Sequence, residues 1–368
     1  LGRATAYEYD AADRLIAVTD ALGGQARYEY DANGNKEGHV DARGNWTFFA
    51  YDAKDRLVRT TDPMGYEESY GYDALDRRVR VTNARGAVST VVHDAVGNVL
   101  RQTDALGGSV THEYDANGTR GAPVDARGFR TEFTYDALNR LVTTKDPLGN
   151  VATTEYDLNG NRTRVTDALG KSTTFTYDAF DRLLTTSNHL GNTTTNAYDL
   201  LGRLVKVRDA RGNETDFEYD ALDRLVKVTD AAGSVVTAAH DAVGNRTGVT
   251  DSRGGTTTYA YDVLNRRTSE TDPLGNSSVL TYDAVGNLRT FVDSDGTRTY
   301  AYDDSNRTTD VTFPDSTTAS YSYDASGNLA AEVTSAGTRS YAWDYDDRLT
   351  DIEYPDSSET NYTYNSAG

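Results

Sequence analysis

The sequence contains no cysteine among its 368 residues. Disulfide bonds, zinc–thiolate sites and thiol nucleophiles are therefore excluded for this chain. The sequence also lacks any apolar run approaching the roughly 18 residues of a membrane-spanning helix. We therefore predict no membrane span in this segment.

Apolar residues and positive charge are both scarce. Apolar residues make up 37 % of the sequence, against roughly 45–50 % in a typical globular protein, so a conventional packed core is hard to build. The formal net charge is −20, which argues against a nucleic-acid partner, because proteins that bind nucleic acid present basic faces. Disorder is disfavoured as well, since 26 tyrosines together with a strictly periodic sequence are typical of β-structure.

A short repeat occupies the whole chain. The dipeptide Tyr-Asp, or a close variant, places an Asp every 21 residues from Asp10 to Asp283, and the later steps alternate between 20 and 21 residues. The pattern defines 18 units, and a fixed period without long insertions predicts one supersecondary unit stacked repeatedly. We expect a single array over residues 1–368, cut within a unit at both ends and part of a longer polypeptide.

Each unit contains a first turn, here called the YD turn, which starts at the paired Asp and follows the pattern D-x-x-[G/N/D]. The leading Asp is suited to accept a hydrogen bond from the backbone two residues on. The fourth place always holds a residue that tolerates a positive φ. This predicts a type I turn with a left-handed fourth residue and a bulge. The candidate structural positions include Asp13, Gly34, Asp55, Asp76, Gly97, Gly202 and Asp223.

A second turn, here called the DxxG turn, follows ten residues later, as in "DALG" at 20–23 and "DARG" at 41–44. Its regular form continues to "DSDG" at 293–296, after which it changes to "FPDS" (313–316), "SAG" (335–337) and "YPDS" (354–357). We expect the 20-residue steps to shorten these altered turns. The candidate structural glycines include Gly23, Gly44, Gly65, Gly149 and Gly212.

The runs between turns alternate with a period of two, as in "NETDFEY" at 213–219. Turns every 10–11 residues with such runs predict about 36 strands joined as a meander. The fold class is therefore all-β: a repetitive antiparallel β-hairpin meander of about 18 units of 20–21 residues. Because sheet twist would coil so long a ribbon, we expect a spiral sheet or a hollow shell.

The tyrosine before the paired Asp has two interpretations. A cross-strand aromatic ladder that packs one sheet face is favoured, because a ligand site rarely needs so many copies in register. The alternative is an aromatic platform for sugars. The candidate ladder residues include Tyr9, Tyr30, Tyr51, Tyr72, Tyr135, Tyr177, Tyr219 and Tyr261.

No catalytic or metal site is predicted. The five histidines show no metal-ligand spacing, and the acidic turns lack the arrangement of a calcium-binding loop. Nucleophile-elbow and phosphate-loop motifs are absent from the sequence. We expect no cofactor and no enzyme activity, and we assign no ligand-binding residue.

The pattern Tyr-Asp-x-x-Gly/Asp-Arg-Leu, as in "YDALDRLVKVTD" at 219–230, followed by Asp-x-x-Gly and an aromatic, resembles the YD repeat of RHS (rearrangement hot spot) proteins. That family includes bacterial polymorphic toxins, the B and C components of Tc toxins, wall-associated proteins and teneurins. The resemblance covers the whole chain. It implies a β-sheet that spirals into a hollow cocoon, which in toxin members holds a C-terminal toxic domain released after a core region cleaves itself. Neither that core nor a payload is recognisable in the sequence.

The resemblance therefore implies a non-catalytic β-shell of a secreted or surface protein. The shell would encapsulate or display a toxin or effector domain outside this segment. The expected partner is an enclosed polypeptide cargo, or a cell-surface or glycan partner, and sheet edges also allow self-association. The alternative is an extracellular adhesion or carbohydrate-binding array, fibrous in form.

Overall fold

The computed structural model describes residues 4–114, 121 and 123–364, and over them the chain is all-β. The strands form two antiparallel sheets in which only sequence neighbours pair, and neither sheet closes on itself. The predicted meander and fold class are thus confirmed. The described part of the chain contains no helix with the length and apolarity that a membrane crossing requires.

The first sheet has 11 strands. Its strands are β1 Ala6–Tyr9, β2 Leu15–Thr19, β3 Gln25–Tyr30, β4 Lys36–Val40, β5 Trp46–Tyr51, β6 Leu57–Thr61, β7 Glu67–Tyr72, β8 Arg78–Thr82, β9 Val88–His93, β10 Val99–Thr103 and β11 Ser109–Thr111.

The second sheet has 23 strands. Its strands are β12 Glu132–Tyr135, β13 Leu141–Lys145, β14 Val151–Tyr156, β15 Arg162–Thr166, β16 Ser172–Tyr177, β17 Leu183–Ser187, β18 Thr193–Tyr198, β19 Leu204–Arg208, β20 Glu214–Tyr219, β21 Leu225–Thr229, β22 Val235–His240, β23 Arg246–Thr250, β24 Thr256–Tyr261, β25 Arg267–Thr271, β26 Ser277–Tyr282, β27 Leu288–Asp293, β28 Gly296–Tyr302, β29 Thr308–Thr312, β30 Thr318–Tyr323, β31 Leu329–Thr334, β32 Gly337–Trp343, β33 Leu349–Glu353 and β34 Glu359–Asn361.

The described residues fall into two compact units. Unit 1 comprises residues 4–94, 101–109 and 259–364, so it joins the two ends of the described chain. Unit 2 comprises residues 95–100, 110–114, 121 and 123–258.

Side-chain burial is shallow, because each sheet is a single layer. The buried apolar residues are small or medium in size, such as Ala17, Leu280 and Ala319, and His112 is a buried polar residue. No large side chain in the described residues is completely enclosed. The two faces differ in chemistry. On one face of β19–β21, Lys206 pairs with Glu214 at 2.6 Å and Lys227 with Glu218 at 2.7 Å. Phe217 lies opposite Val228 on the other face.

The YD turns share one hydrogen-bond pattern, shown by residues 220–224. Asp220 Oδ1 accepts the backbone N–H groups of Leu222 at 2.8 Å and Arg224 at 3.0 Å. The Asp223 N–H donates to the Asp220 carbonyl at 3.2 Å, and the register shifts by a bulge next to Tyr219. The carboxylate thus satisfies backbone donors that the bulged ladder leaves unpaired.

The turn positions singled out in the sequence have positive φ throughout. In the YD turns φ is 59–62° at Asp13, Asp55, Asp76 and Asp223, and 86–102° at Gly34, Gly97 and Gly202. In the DxxG turns φ is 85–93° at Gly23, Gly44, Gly65, Gly149 and Gly212.

The expectation about the shortened turns needs correction. "DSDG" is not a regular DxxG turn, because Asp293 pairs directly with Gly296 across a two-residue hairpin. Thr334 and Gly337 close in the same way. "FPDS" and "YPDS" instead keep the longer geometry, with Ser316 and Ser357 at positive φ. Each 20-residue step is therefore one residue shorter because of the loop at 293–296 or at 334–337, where glycine permits the tighter turn.

Two leading carboxylates of the YD turns, those of Asp52 and Asp220, have strongly lowered pKa values. The guanidinium of Arg224 donates to Asp220 at 2.6 Å and, with the backbone N–H bonds, lowers the pKa of Asp220 to about 2. The hydrogen bond from Arg56 likewise lowers the pKa of Asp52 to about 2. Because the unfolded-state pKa is about 3.9, these carboxylates stabilise the fold above about pH 4, and the contribution is lost as the pH falls toward 2.

We expect Gly202→Val to destabilise the protein by about 1 kcal/mol or more, because a β-branched residue is strained at a φ of 86°. Space is not limiting, since a Cβ at Gly202 would have Arg182 Nη1 as its nearest neighbour at 3.8 Å. The matched control is Gly202→Asn, since Asn139 and Asn265 occupy the equivalent place at φ of 60° and 64°. Thermal unfolding measures both, and an unchanged melting temperature for Gly202→Val would contradict the turn assignment.

We expect Asp220→Asn to lower stability near neutral pH and to lose its effect in acid. The asparagine keeps a turn acceptor, as Asn188 does in its own turn, but it cannot form the ion pair with Arg224. The difference in urea midpoint from the wild type should be constant above about pH 5 and should shrink between about pH 4 and pH 2. Glu155→Gln on a strand is the charge-matched control. A difference that persists undiminished at pH 2 would refute the assignment of the low pKa.

Candidate functional site

The YD-turn edge carries a repeated Arg–Tyr arrangement. Arg203 Nη2 bonds Asp199 of its own turn at 2.7 Å, and Nη1 reaches Asp223 of the next turn at 2.8 Å. Its guanidinium lies 4.9 Å from the ring centre of Tyr219. One arginine thus connects two neighbouring units through an ion pair and a cation–π contact.

The ladder tyrosines lie at one register position and use their hydroxyls. The Tyr219 hydroxyl donates to the Leu204 carbonyl at 2.8 Å. The same bond, to the carbonyl 15 residues earlier, is made by Tyr30, Tyr51, Tyr72 and Tyr177. Tyr9, Tyr135 and Tyr261 end their strands at the same position, and Tyr9 is exposed.

Burial raises the pKa of the Tyr51, Tyr302 and Tyr323 hydroxyls above the ordinary value of a tyrosine. The hydroxyl bonds and the arginine contacts hold neighbouring units together. Units with Asn in the arginine place differ: Asn161 bonds Asp157 at 3.1 Å and Asp181 at 2.6 Å. The residue that follows the fourth place of the YD turn is Arg in some units and Asn in others, in near-alternation. The edge therefore has two kinds of junction between neighbouring units.

Within unit 1, DxxG turns near the N-terminus contact YD turns near the C-terminus. We call these contacts the seam; it joins turns in residues 41–107 to turns in residues 283–347. Arg43 Nη1 donates to Asn306 Oδ1 at 2.8 Å, and Nη2 donates to the Tyr302 carbonyl at 3.3 Å. Arg43 Nε also lies 3.8 Å from Asp283 Oδ2.

Arg85 repeats this arrangement two units later. It donates to the Trp343 carbonyl at 3.0 Å, to Asp324 at 3.3 Å and to Asp347 at 3.4 Å. Its guanidinium also lies 5.3 Å from the Tyr345 ring centre. The side chains of Arg43 and Arg85 are only 21 % and 17 % exposed. Both arginines therefore bind a paired Asp, a backbone carbonyl and the fourth residue of the following YD turn.

The intervening turns also take part in the seam. Ser305 donates to Asp62 at 3.0 Å, and the Ala105 N–H donates to Asp346 at 2.9 Å. Four consecutive DxxG turns thus bind the opposing edge. The signal in the sequence is the "ARG" of the DxxG turns at 41–44 and 83–86, which recurs at a spacing of 42 residues.

Several acidic side chains gather beside the seam. Asp62, Glu67, Glu68 and Asp347 line a cavity of about 380 Å³ beside the seam. However, no group of three or more His, Cys, Asp or Glu side chains in the described residues is arranged to hold a metal ion. What the edge presents is a periodic series of charged hydrogen-bonding groups.

The RHS repeat model matches most of the chain. The matched segments are residues 1–25, 9–45, 51–88, 93–120, 124–151, 156–195, 198–235, 240–277, 282–317 and 302–340. No curated protein sequence matches the chain.

Solved structures of Tc toxins share the fold. A TcdB2-TccC3-TEV crystal structure superposes with a TM-score of 0.80 at 17 % identity, covering 94 % of this chain and 22 % of that one. For TcdB2-TccC3-Cdc42 the TM-score is 0.76 at 15 % identity, covering 99 % of this chain and 24 % of that one. A Tc holotoxin pore from Photorhabdus luminescens gives a TM-score of 0.62 at 17 % identity, covering 94 % and 22 %.

This chain therefore spans less than a quarter of the length of each of these structures. At this identity the likeness shows the fold alone. The repeat matches extend over far more than half of the sequence. The chain belongs to the RHS repeat family.

Proposed function

We propose that this chain is a non-catalytic wall segment of a longer secreted or surface RHS protein. Its sheet encloses or displays a toxin or effector domain that lies outside these 368 residues. The turn residues and the tyrosine ladder are structural in this proposal: the turns set the hairpin bends and the ladder ties neighbouring units together.

The seam is the observation that carries the proposal. A sheet one layer thick makes a continuous barrier only if separate strips meet along their edges. In unit 1, four DxxG turns bind YD turns about 240–260 residues further along the chain. The contacts use side chains and backbone groups of the turns, so they join strips without extending the strand ladder.

The wall surface suits containment better than ligand capture. Arginines cover one face of many ladder rings, as Arg182 does on Tyr198 at 4.8 Å and Arg307 on Tyr323 at 4.8 Å. The tyrosine hydroxyls are engaged by backbone carbonyls. A sugar platform needs open ring faces and free polar groups, so the ladder gives no support to a carbohydrate-binding array.

We expect Arg85→Glu to weaken the seam by about 1–3 kcal/mol, because it removes charged hydrogen bonds from a largely buried side chain and adds repulsion with two carboxylates. Arg164→Glu is the charge-matched control, since Arg164 is 49 % exposed on a strand. Limited proteolysis and the midpoint of the first unfolding transition measure the effect. Equal shifts in the two variants would show that Arg85 does not hold the seam.

The enclosing role predicts what electron microscopy of the full polypeptide shows. We expect a closed particle with density inside it, and a cargo domain that resists protease until the particle is opened. An open rod or filament without a lumen would refute encapsulation. A lumen that is empty in every particle would refute the enclosed cargo.

A further inference from the structure

The DxxG-turn edge of unit 2 carries arginines at the same place as the seam arginines of unit 1. Arg127, Arg211 and Arg253 occupy the third place of their DxxG turns, the place held by Arg43 and Arg85 in unit 1. Arg211 and Arg253 are 42 residues apart, as are Arg43 and Arg85. Both are exposed, and in the described residues neither guanidinium forms a hydrogen bond or ion pair.

Large apolar side chains occupy this third place in the three turns between Arg127 and Arg211. Leu148, Leu169 and Leu190 are 86 %, 80 % and 72 % exposed. In the seam of unit 1, the equivalent Met64 and Leu106 are 41 % and 49 % exposed. A regular row of exposed leucines on the same edge as the unpaired Arg211 and Arg253 is typical of a surface that another element covers.

We propose that the DxxG-turn edge of residues 125–254 docks a further row of YD turns from RHS repeats on the same longer polypeptide. The inference rests on the proposed function, in which this chain is one segment of a longer wall. Arg211 and Arg253 are the anchors, and Leu148, Leu169 and Leu190, which precede Arg211 on the same edge, fill the contact. Each anchor takes a paired Asp, a backbone carbonyl and the Asn or Asp of the next turn.

The seam supports this choice of partner by charge and by distance along the chain. The YD turns that bind Arg43 and Arg85 offer a carboxylate and a carbonyl, with Asn306 or Asp347 at the fourth place, which complement a guanidinium. The aromatic carbonyl lies 258–259 residues after the arginine, and the fourth-place residue lies 262–263 residues after it.

We expect the same separations along the sequence between Arg211 or Arg253 and its docking partner. The longer polypeptide should carry an aromatic-Asp pair whose aromatic lies about 258–259 residues after Arg211 and after Arg253. An Asn or Asp should follow at about 262–263 residues after each. These offsets come from the seam of unit 1. Absence of YD turns at these distances would overturn the proposal.

The decisive experiment uses the natural absence of cysteine. Leu190→Cys, beside the Arg211 turn, is introduced into the 368-residue chain and into the full-length polypeptide, and its rate of maleimide labelling is measured. We expect labelling to be at least about tenfold slower in the full-length polypeptide, because the docked edge must open first. Equal rates would overturn the proposal.

The anchors are tested in the same full-length background. Arg211→Glu with Arg253→Glu should restore fast labelling of Leu190→Cys, whereas Arg164→Glu should not. Arg211→Ala with Arg253→Ala gives a milder pair if the charge reversal prevents folding, as judged by circular dichroism. Slow labelling that neither double variant relieves would overturn the anchor assignment. Cargo density in electron microscopy is a separate readout, so a failure of enclosure is distinguishable from a failure of docking.

Discussion

The aspartate-headed turn is the constraint on which the rest of this structure depends. A single-layer sheet buries little apolar surface, so each bend has to be held locally. One carboxylate accepts the N–H groups two and four residues on, and the fourth residue takes a left-handed conformation, as at Asp220 and Asp223. Because the turn closes within five residues, it places each strand beside its predecessor without the help of a distant contact.

The second level of organisation links units along one edge. Arginines such as Arg203 hold their own turn, stack on the next tyrosine and reach the next turn. Each contact is short in sequence, and the tyrosine hydroxyl adds a bond to a carbonyl 15 residues earlier. The array therefore behaves as a one-dimensional series of neighbour contacts, whereas the seam adds contacts over more than 200 residues.

Much of the fold was predictable because the turn chemistry repeats. The positions of Asp13, Gly34 and Gly202 followed from the pattern D-x-x-[G/N/D], and alternating runs predicted the strands between them. The turn at 293–296 was misjudged, because "DSDG" has the letters of a regular turn although its flanking strands pair one residue earlier, Val292 with Thr297. Arg43 and Arg85 were missed as contact residues, since their partners lie about 260 residues away.

The sequence by itself determined the strand order, the bends and the family. These features depend on hydrogen bonds within about 15 residues and on which residues tolerate a positive φ. Only the tertiary structure decided which turns meet across the seam and which arginines are left unpaired. The physical reason is that one repeated motif offers the same edge at each unit, so local chemistry cannot distinguish one partner from another. The geometry accumulated over many strands determines which turns meet.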